Sequence, residues 1–135
     1  MEVSGAIVVH QGKILCAQRG KGKYDYLSFV YEFPGGKLEE GETPKEALGR
    51  ELVEEMDLQI PQEDMKFFYT VEHQYPDFHL RMHTFICPVS SPEIKLKEHV
   101  EVVWLPVSEL DSLNWAPADW PIIEELKNER FAKEL

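Results

Sequence analysis

Phe33 to Leu58, FPGGKLEEGETPKEALGRELVEEMDL, is the stretch whose reading decides the fold. It joins a glycine turn, Pro34-Gly35-Gly36, to a helix whose acidic residues converge. Thr43 is a good N-cap, Pro44 suits the first helical position, and Glu46 completes a Thr-x-x-Glu capping box. Nothing breaks the helix before Met56, so it is expected over Pro44 to Met56. At about 100° per residue, Glu51, Glu54 and Glu55 fall within roughly a 100° arc, with Leu52, Val53 and Met56 opposite. Like charges at i,i+3 and i,i+4 repel by roughly a few tenths of a kcal/mol per pair. A helix selected only for solubility would interleave lysines. Arg50 lies at the edge of the arc, one turn from Glu46 and Glu54, where it can orient carboxylates. The plainer reading is a solvated acidic face. Beside an open glycine turn, the same carboxylates suit a hard divalent cation, which takes oxygen ligands and substrate phosphates.

The spacing carries a resemblance. Gly36, five residues, Glu42, seven residues, then Arg50-Glu51-Leu52-Val53-Glu54-Glu55-Met56-Asp57-Leu58 resembles the Nudix box, Gx5Ex7REUxEExGU, where U is aliphatic. Every fixed position matches except the last glycine, which is Asp57 here. A glycine there ends the helix in a left-handed conformation. Asp tolerates that conformation at a cost of about 1 kcal/mol.

Outward from this stretch, 135 residues suit one domain with a single core. Hydrophobic residues make up 43% and charged residues 29%, the composition of an ordinary globular chain. No apolar run reaches 18 residues, so no membrane partner is expected, and the N-terminus lacks a secretory leader pattern. Cys16 and Cys87 sit in apolar runs without metal-ligand spacing and read as buried free thiols of a cytoplasmic protein. A net charge of −11 argues against a nucleic acid polymer as partner, whose phosphates demand a basic surface. It leaves nucleotides open, because bound Mg²⁺ reverses the local sign.

Strands are expected at residues 3–10, 13–18, 30–33, 66–73, 79–89, 93–98 and 101–105, with a helical turn from 106 and a terminal helix over about 118–133. Between the second and third strands, Arg19-Gly20-Lys21-Gly22-Lys23 collects three cations and two glycines ahead of Tyr24, Tyr26 and Phe29. This is a surface connection or a phosphate and base contact, and Arg19, at a strand end, is its best-placed cation. His73, His79 and His83 lack partners at zinc spacing and read as satisfied strand histidines.

The Nudix resemblance implies an α+β fold, an α/β/α sandwich with a mixed central sheet, formed by residues 1–135 as a single domain. It implies hydrolysis of a nucleoside diphosphate linked to another moiety, with Mg²⁺, or Mn²⁺, as cofactor. By the same resemblance Glu51, Glu54 and Glu55 hold metal, with the Gly35 carbonyl and Glu98 as further ligands. Arg50 orients the carboxylates, and Gly36 and Glu42 are structural members of the box. The proton acceptor is Glu51 or Glu98. Further matches to the MutT-like branch are Glu32-Phe33-Pro34-Gly35-Gly36, the Tyr75-Pro76-Asp77 turn, Glu98 six residues before Trp104, and Ala116-Pro117-Ala118-Asp119. These imply cleavage of a nucleoside triphosphate to monophosphate and pyrophosphate, with Arg19, Phe33 and Asp119 binding substrate. CTP, dCTP or a modified cytidine nucleotide is the first candidate, read by an ionised Asp119 accepting from the exocyclic amine. An 8-oxo-dGTP diphosphatase is the alternative. A non-catalytic nucleotide-sensing domain is the rival from another class, although such domains usually lose a box carboxylate and all four stand here.

Overall fold

A computed structural model describes residues 1–128. Seven strands, β1 (Glu2–His10), β2 (Lys13–Gln18), β3 (Tyr31–Glu32), β4 (Gly35–Lys37), β5 (Lys66–Gln74), β6 (His79–Pro88) and β7 (Glu101–Leu105), form one sheet. Two helices join them, α1 (Pro44–Met56) and α2 (Trp120–Leu126). The main path runs β3-β2-β1-β6-β5, with β4 paired to β1 and β7 to β2. β1 and β6 run parallel and every other pair antiparallel, so the sheet is mixed.

β1 explains the layering. Its residues 4–9 are buried without alternation, as expected of a strand covered on both faces. Ala6 and Val8 point to one core with Leu48, Leu52 and Met56 of α1. Ile7 and Val9 point to the other, with Ile122, Ile123 and Leu126 of α2. The result is the expected α/β/α sandwich.

Several expectations need correction. The glycine turn is itself a strand: Gly35 and Gly36 pair with Gly5 and Ser4 of β1. Gly35 has φ 155°, and a Cβ there would stand 1.9 Å from the Ser4 carbonyl oxygen, so only glycine permits this approach. Residues 93–98 form no strand; that segment lies against the end of α1, where Lys95 and Lys97 N–H donate to the carbonyls of Met56 and Glu55. Val53 is exposed, whereas Glu55 takes a buried place on α1 beside Leu52 and Met56. The terminal helix begins at Trp120 and ends at Leu126, and the remainder expected to 133 lies mostly outside the described residues.

Asp57 adopts the left-handed conformation, φ 53° and ψ 36°, at the end of α1. Its N–H caps the Leu52 and Val53 carbonyls. Cys16 and Cys87 are free and buried, and burial pushes both thiols up to about 12. No described helix is long and apolar enough to cross a membrane.

Candidate active site

The first turn of α1 is locked by both halves of its capping box: Glu46 N–H donates to Thr43 Oγ1, and Thr43 N–H donates to Glu46 Oε1. That fixes where the later turns project. Arg50 then gathers carboxylates, though not the set expected. Its Nε and Nη2 grip Glu42 at 2.9 Å each, and its Nη1 lies 2.9 Å from Glu51 and 3.3 Å from Glu54. Glu46 is outside this network because the cap holds it. The grip of Arg50, with the Glu39 N–H, pulls the Glu42 carboxyl down to about 2, so Glu42 is a fixed anion that braces Arg50.

Glu55 points inward. It is 7% exposed, and its Oε2 is buried without a hydrogen-bond partner. Burial pushes its carboxyl up to about 9, and the neighbouring charges of Glu32, Glu51 and Glu98 push the same way. A buried carboxylate ringed by three others is a site short of positive charge. Among the described residues no three His, Cys, Asp or Glu side chains already stand close enough to hold a metal together. The donor chemistry nonetheless fits a hard divalent cation: an unpartnered oxygen on Glu55, further carboxylates around it, and the half-buried Gly35 and Gly36 lining the same groove. Glu54 is mostly exposed and faces Arg50.

The groove has a volume of about 510 Å³. Of the expected site residues it brings together Arg19, Phe33, Gly35, Gly36, Glu55, Glu98 and Asp119; Glu42, Arg50, Glu51 and Glu54 do not line it. Phe33 is buried against Trp115, ring centroids 4.8 Å apart, which makes Trp115 a core residue rather than a stacking face. Tyr75 and Phe78 supply aromatic surface to the groove. The Tyr75 hydroxyl accepts from the Ala118 N–H at 3.0 Å and so fixes the backbone just before Asp119.

Asp119 is 3% exposed, and although it precedes α2 its side chain makes no cap hydrogen bond. Burial raises its carboxyl well above the ordinary range; Glu32 adds to the rise and Arg19 opposes it. Burial thus works against the expected ionised reader and favours the acid, which donates as well as accepts.

Two groove residues were missed by sequence reasoning. Glu32 bridges Arg19 (3.1 Å) and His99 (2.9 Å), and the His99 side chain is 5% exposed. The signal for Glu32 was its place one residue before Phe33 in the branch motif, and for His99 its adjacency to Glu98. His83, by contrast, is satisfied as expected by Thr70 and Glu2.

With this geometry in place, comparison with known proteins gives a consistent result. Residues 2–126 match the NUDIX domain model. An 8-oxo-dGTP diphosphatase of Escherichia coli (strain K12) is 35% identical over 102 residues, 76% of this chain and 78% of that protein. A CTP pyrophosphohydrolase of the same organism is 33% identical over 135 residues, 98% of this chain and 96% of that protein. The solution structure of the E. coli ORF135 protein superposes with a TM-score of 0.81 at 30% identity, covering 98% and 91% of the two chains.

Proposed function

This chain belongs to the Nudix family, and from that premise we propose that it is a divalent-metal-dependent pyrophosphohydrolase converting nucleoside triphosphates to monophosphates and pyrophosphate. The observation that carries the reading is one groove holding both Glu55, with its unpartnered buried oxygen, and the buried acid Asp119. The charges acting on Glu55 are Glu32, Glu51 and Glu98, and those acting on Asp119 are Glu32 and Arg19. A polyphosphate suits the first end and a base the second.

Glu51, Glu54, Glu55, Glu98 and the Gly35 carbonyl would hold Mg²⁺ or Mn²⁺, which when bound neutralises phosphate charge and acidifies the attacking water. Arg19, Lys21 and Lys23 line the groove and draw the triphosphate in. Arg50 fixes Glu51 and Glu54 so that they need no reorganisation during the reaction. Water adds to phosphorus, the bridging P–O bond breaks, and a carboxylate takes the proton. Among the described residues Glu98 makes no hydrogen bond or ion pair, whereas Glu51 is engaged by Arg50, so Glu98 is the better acceptor.

For the base, the acid form of Asp119 offers an O–H donor beside a carbonyl acceptor. Guanine shows two acceptors, N7 and O6, on its major-groove edge. Oxidation at C8 places a hydrogen on N7 and makes that edge donor plus acceptor, complementary to the acid. The raised proton affinity of Asp119 thus supports an 8-oxoguanine nucleotide as a base it can read. The second reading, CTP or dCTP, is favoured by the near full-length match to a CTP pyrophosphohydrolase. The test is pyrophosphate release from a nucleotide panel with Mg²⁺. Release from 8-oxo-dGTP well ahead of dGTP is expected, and release from no nucleotide would overturn the assignment.

A further inference from the structure

The groove also holds a network that neither the carboxylate cluster nor base reading accounts for. Glu32 Oε1 accepts from Arg19 Nη1 at 3.1 Å, and Glu32 Oε2 accepts from His99 Nε2 at 2.9 Å. All three residues line the groove. Yet His99 Nδ1 and Arg19 Nε are both buried without a hydrogen-bond partner. Nearly all buried polar atoms in native proteins are paired, so two orphans in one network call for a missing partner.

The missing chemistry follows from the geometry. Facing a carboxylate, His99 Nε2 carries a ring hydrogen, and in the tautomer with that one hydrogen Nδ1 is a bare acceptor. Arg19 Nε–H is a donor only. The network therefore lacks one donor and one acceptor, and a hydroxyl supplies both. Glu32 is also the one charge that acts on both Glu55 and Asp119, so the network is within reach of both carboxyls and of any part of a substrate that lies between them. In a nucleotide lying with its phosphates at one end and its base at the other, the pentose occupies that middle.

We propose that Arg19, Glu32 and His99 form a sugar-reading subsite, in which His99 Nδ1 accepts from a pentose hydroxyl and Arg19 Nε donates to one. Glu32 is the positioning residue: it fixes the His99 tautomer and holds the Arg19 fork. The inference rests on the pyrophosphohydrolase reading, whose substrate it describes more finely. It explains why His99 is buried beside the most acidic part of the site although it adds no ligand of the expected kind.

The test measures pyrophosphate release from CTP, 2′-deoxy-CTP and 3′-deoxy-CTP, and from 8-oxo-GTP and 8-oxo-dGTP, by the wild type and by His99→Phe. In the wild type, removing the hydroxyl that is read leaves buried groups unpaired and lowers kcat/KM by about tenfold or more, chiefly through KM. His99→Phe treats the sugars alike, and His99→Gln, which keeps an acceptor, restores part of the discrimination. A second readout needs neither metal nor turnover: the ¹⁵N resonance of His99 Nδ1 shifts on adding CMP and stays put with the monophosphate lacking that hydroxyl. If His99→Phe fails to fold by thermal melt, the wild-type sugar series and the resonance decide. Equal cleavage of every sugar by the wild type, or an equal slowing of all sugars by His99→Phe, overturns the subsite alone. Absence of pyrophosphate from every nucleotide overturns the pyrophosphohydrolase reading and the subsite together.

Discussion

Glu51 rests on Gly36: a Cβ at position 36 would stand 2.3 Å from the Glu51 Cδ and 2.6 Å from both carboxylate oxygens. The first glycine of the box is thus the floor on which the Glu51 carboxylate lies. Gly36→Ala should displace that carboxylate by about 1 Å, enough to cost about 10²-fold in kcat. The displaced atoms end a flexible side chain, so the melting temperature should change little. Unaltered kcat in Gly36→Ala would remove Glu51 from the catalytic set.

Glu55 supports a prediction about metal. Glu55→Gln keeps the side chain's shape and removes a buried carboxyl that burial and its neighbours push up to about 9. Near neutral pH the metal-free protein should melt at the same temperature or higher, because the wild type folds with a carboxyl that the unfolded chain would ionise. Mg²⁺ should raise the wild-type melting temperature through binding to the folded state, and that rise should vanish in Glu55→Gln along with turnover. Glu54→Gln, mostly exposed, should lose turnover by orders of magnitude while the fold holds. A full Mg²⁺ shift in Glu55→Gln would place the cation elsewhere.

What the sequence revealed and concealed divides along physical lines. Local signals were legible: the capping box, the helix limits Pro44 and Met56, and the left-handed Asp57 all depend on neighbours in the chain. Strands such as Lys13–Gln18 and Glu101–Leu105 were legible from their apolar runs. The strand character of Gly35-Gly36 was not, because it is imposed by the approach of β1, more than 25 residues away. Residues 93–98 alternate like a strand but find their hydrogen bonds at the end of α1. The partnership of Glu32 with His99 spans 67 residues and leaves no local trace. Nor does the burial of Asp119, a short polar residue flanked by prolines, show in composition.

Asp57 gives a stability prediction. Its left-handed backbone costs a non-glycine residue about 1 kcal/mol, partly offset by the extra freedom a glycine gains on unfolding. Its ion pair with Lys95, 3.8 Å long between two exposed side chains, contributes little. Asp57→Gly should stabilise the protein by a few tenths to about 1 kcal/mol in urea melts, with activity barely changed. A clear loss of stability would mean that the Lys95 contact matters far more than its exposure suggests.

The final prediction concerns Asp119 and pH. Folded Asp119 keeps its proton to higher pH than the unfolded chain, whose carboxyl releases it near 3.8. Between those two values the folded state binds more protons, so stability falls as pH rises, by up to about 1.4 kcal/mol per pH unit. Below about pH 4 both states are protonated and the dependence disappears. Asp119→Asn removes the titration, so its stability relative to wild type should improve steadily as pH is raised above that point. Selectivity should follow the same logic. The Asn amide keeps one donor and one acceptor, the pattern of the neutral acid. Near neutral pH, Asp119→Asn should therefore retain the preference for 8-oxo-dGTP over dGTP, whereas Asp119→Ala should lose it. Once pH passes the raised value the wild type surrenders its donor, and its kcat/KM for 8-oxo-dGTP should decline while Asp119→Asn holds steady. Uracil presents a donor and an acceptor just as the acid does, so the neutral form gives no reason for CTP to outrun UTP. If the wild type instead cleaves CTP far faster than UTP and Asp119→Asn erases that difference at neutral pH, Asp119 works as an anion despite its burial. The exocyclic amine of cytosine, rather than the oxidised edge of guanine, is then what it reads.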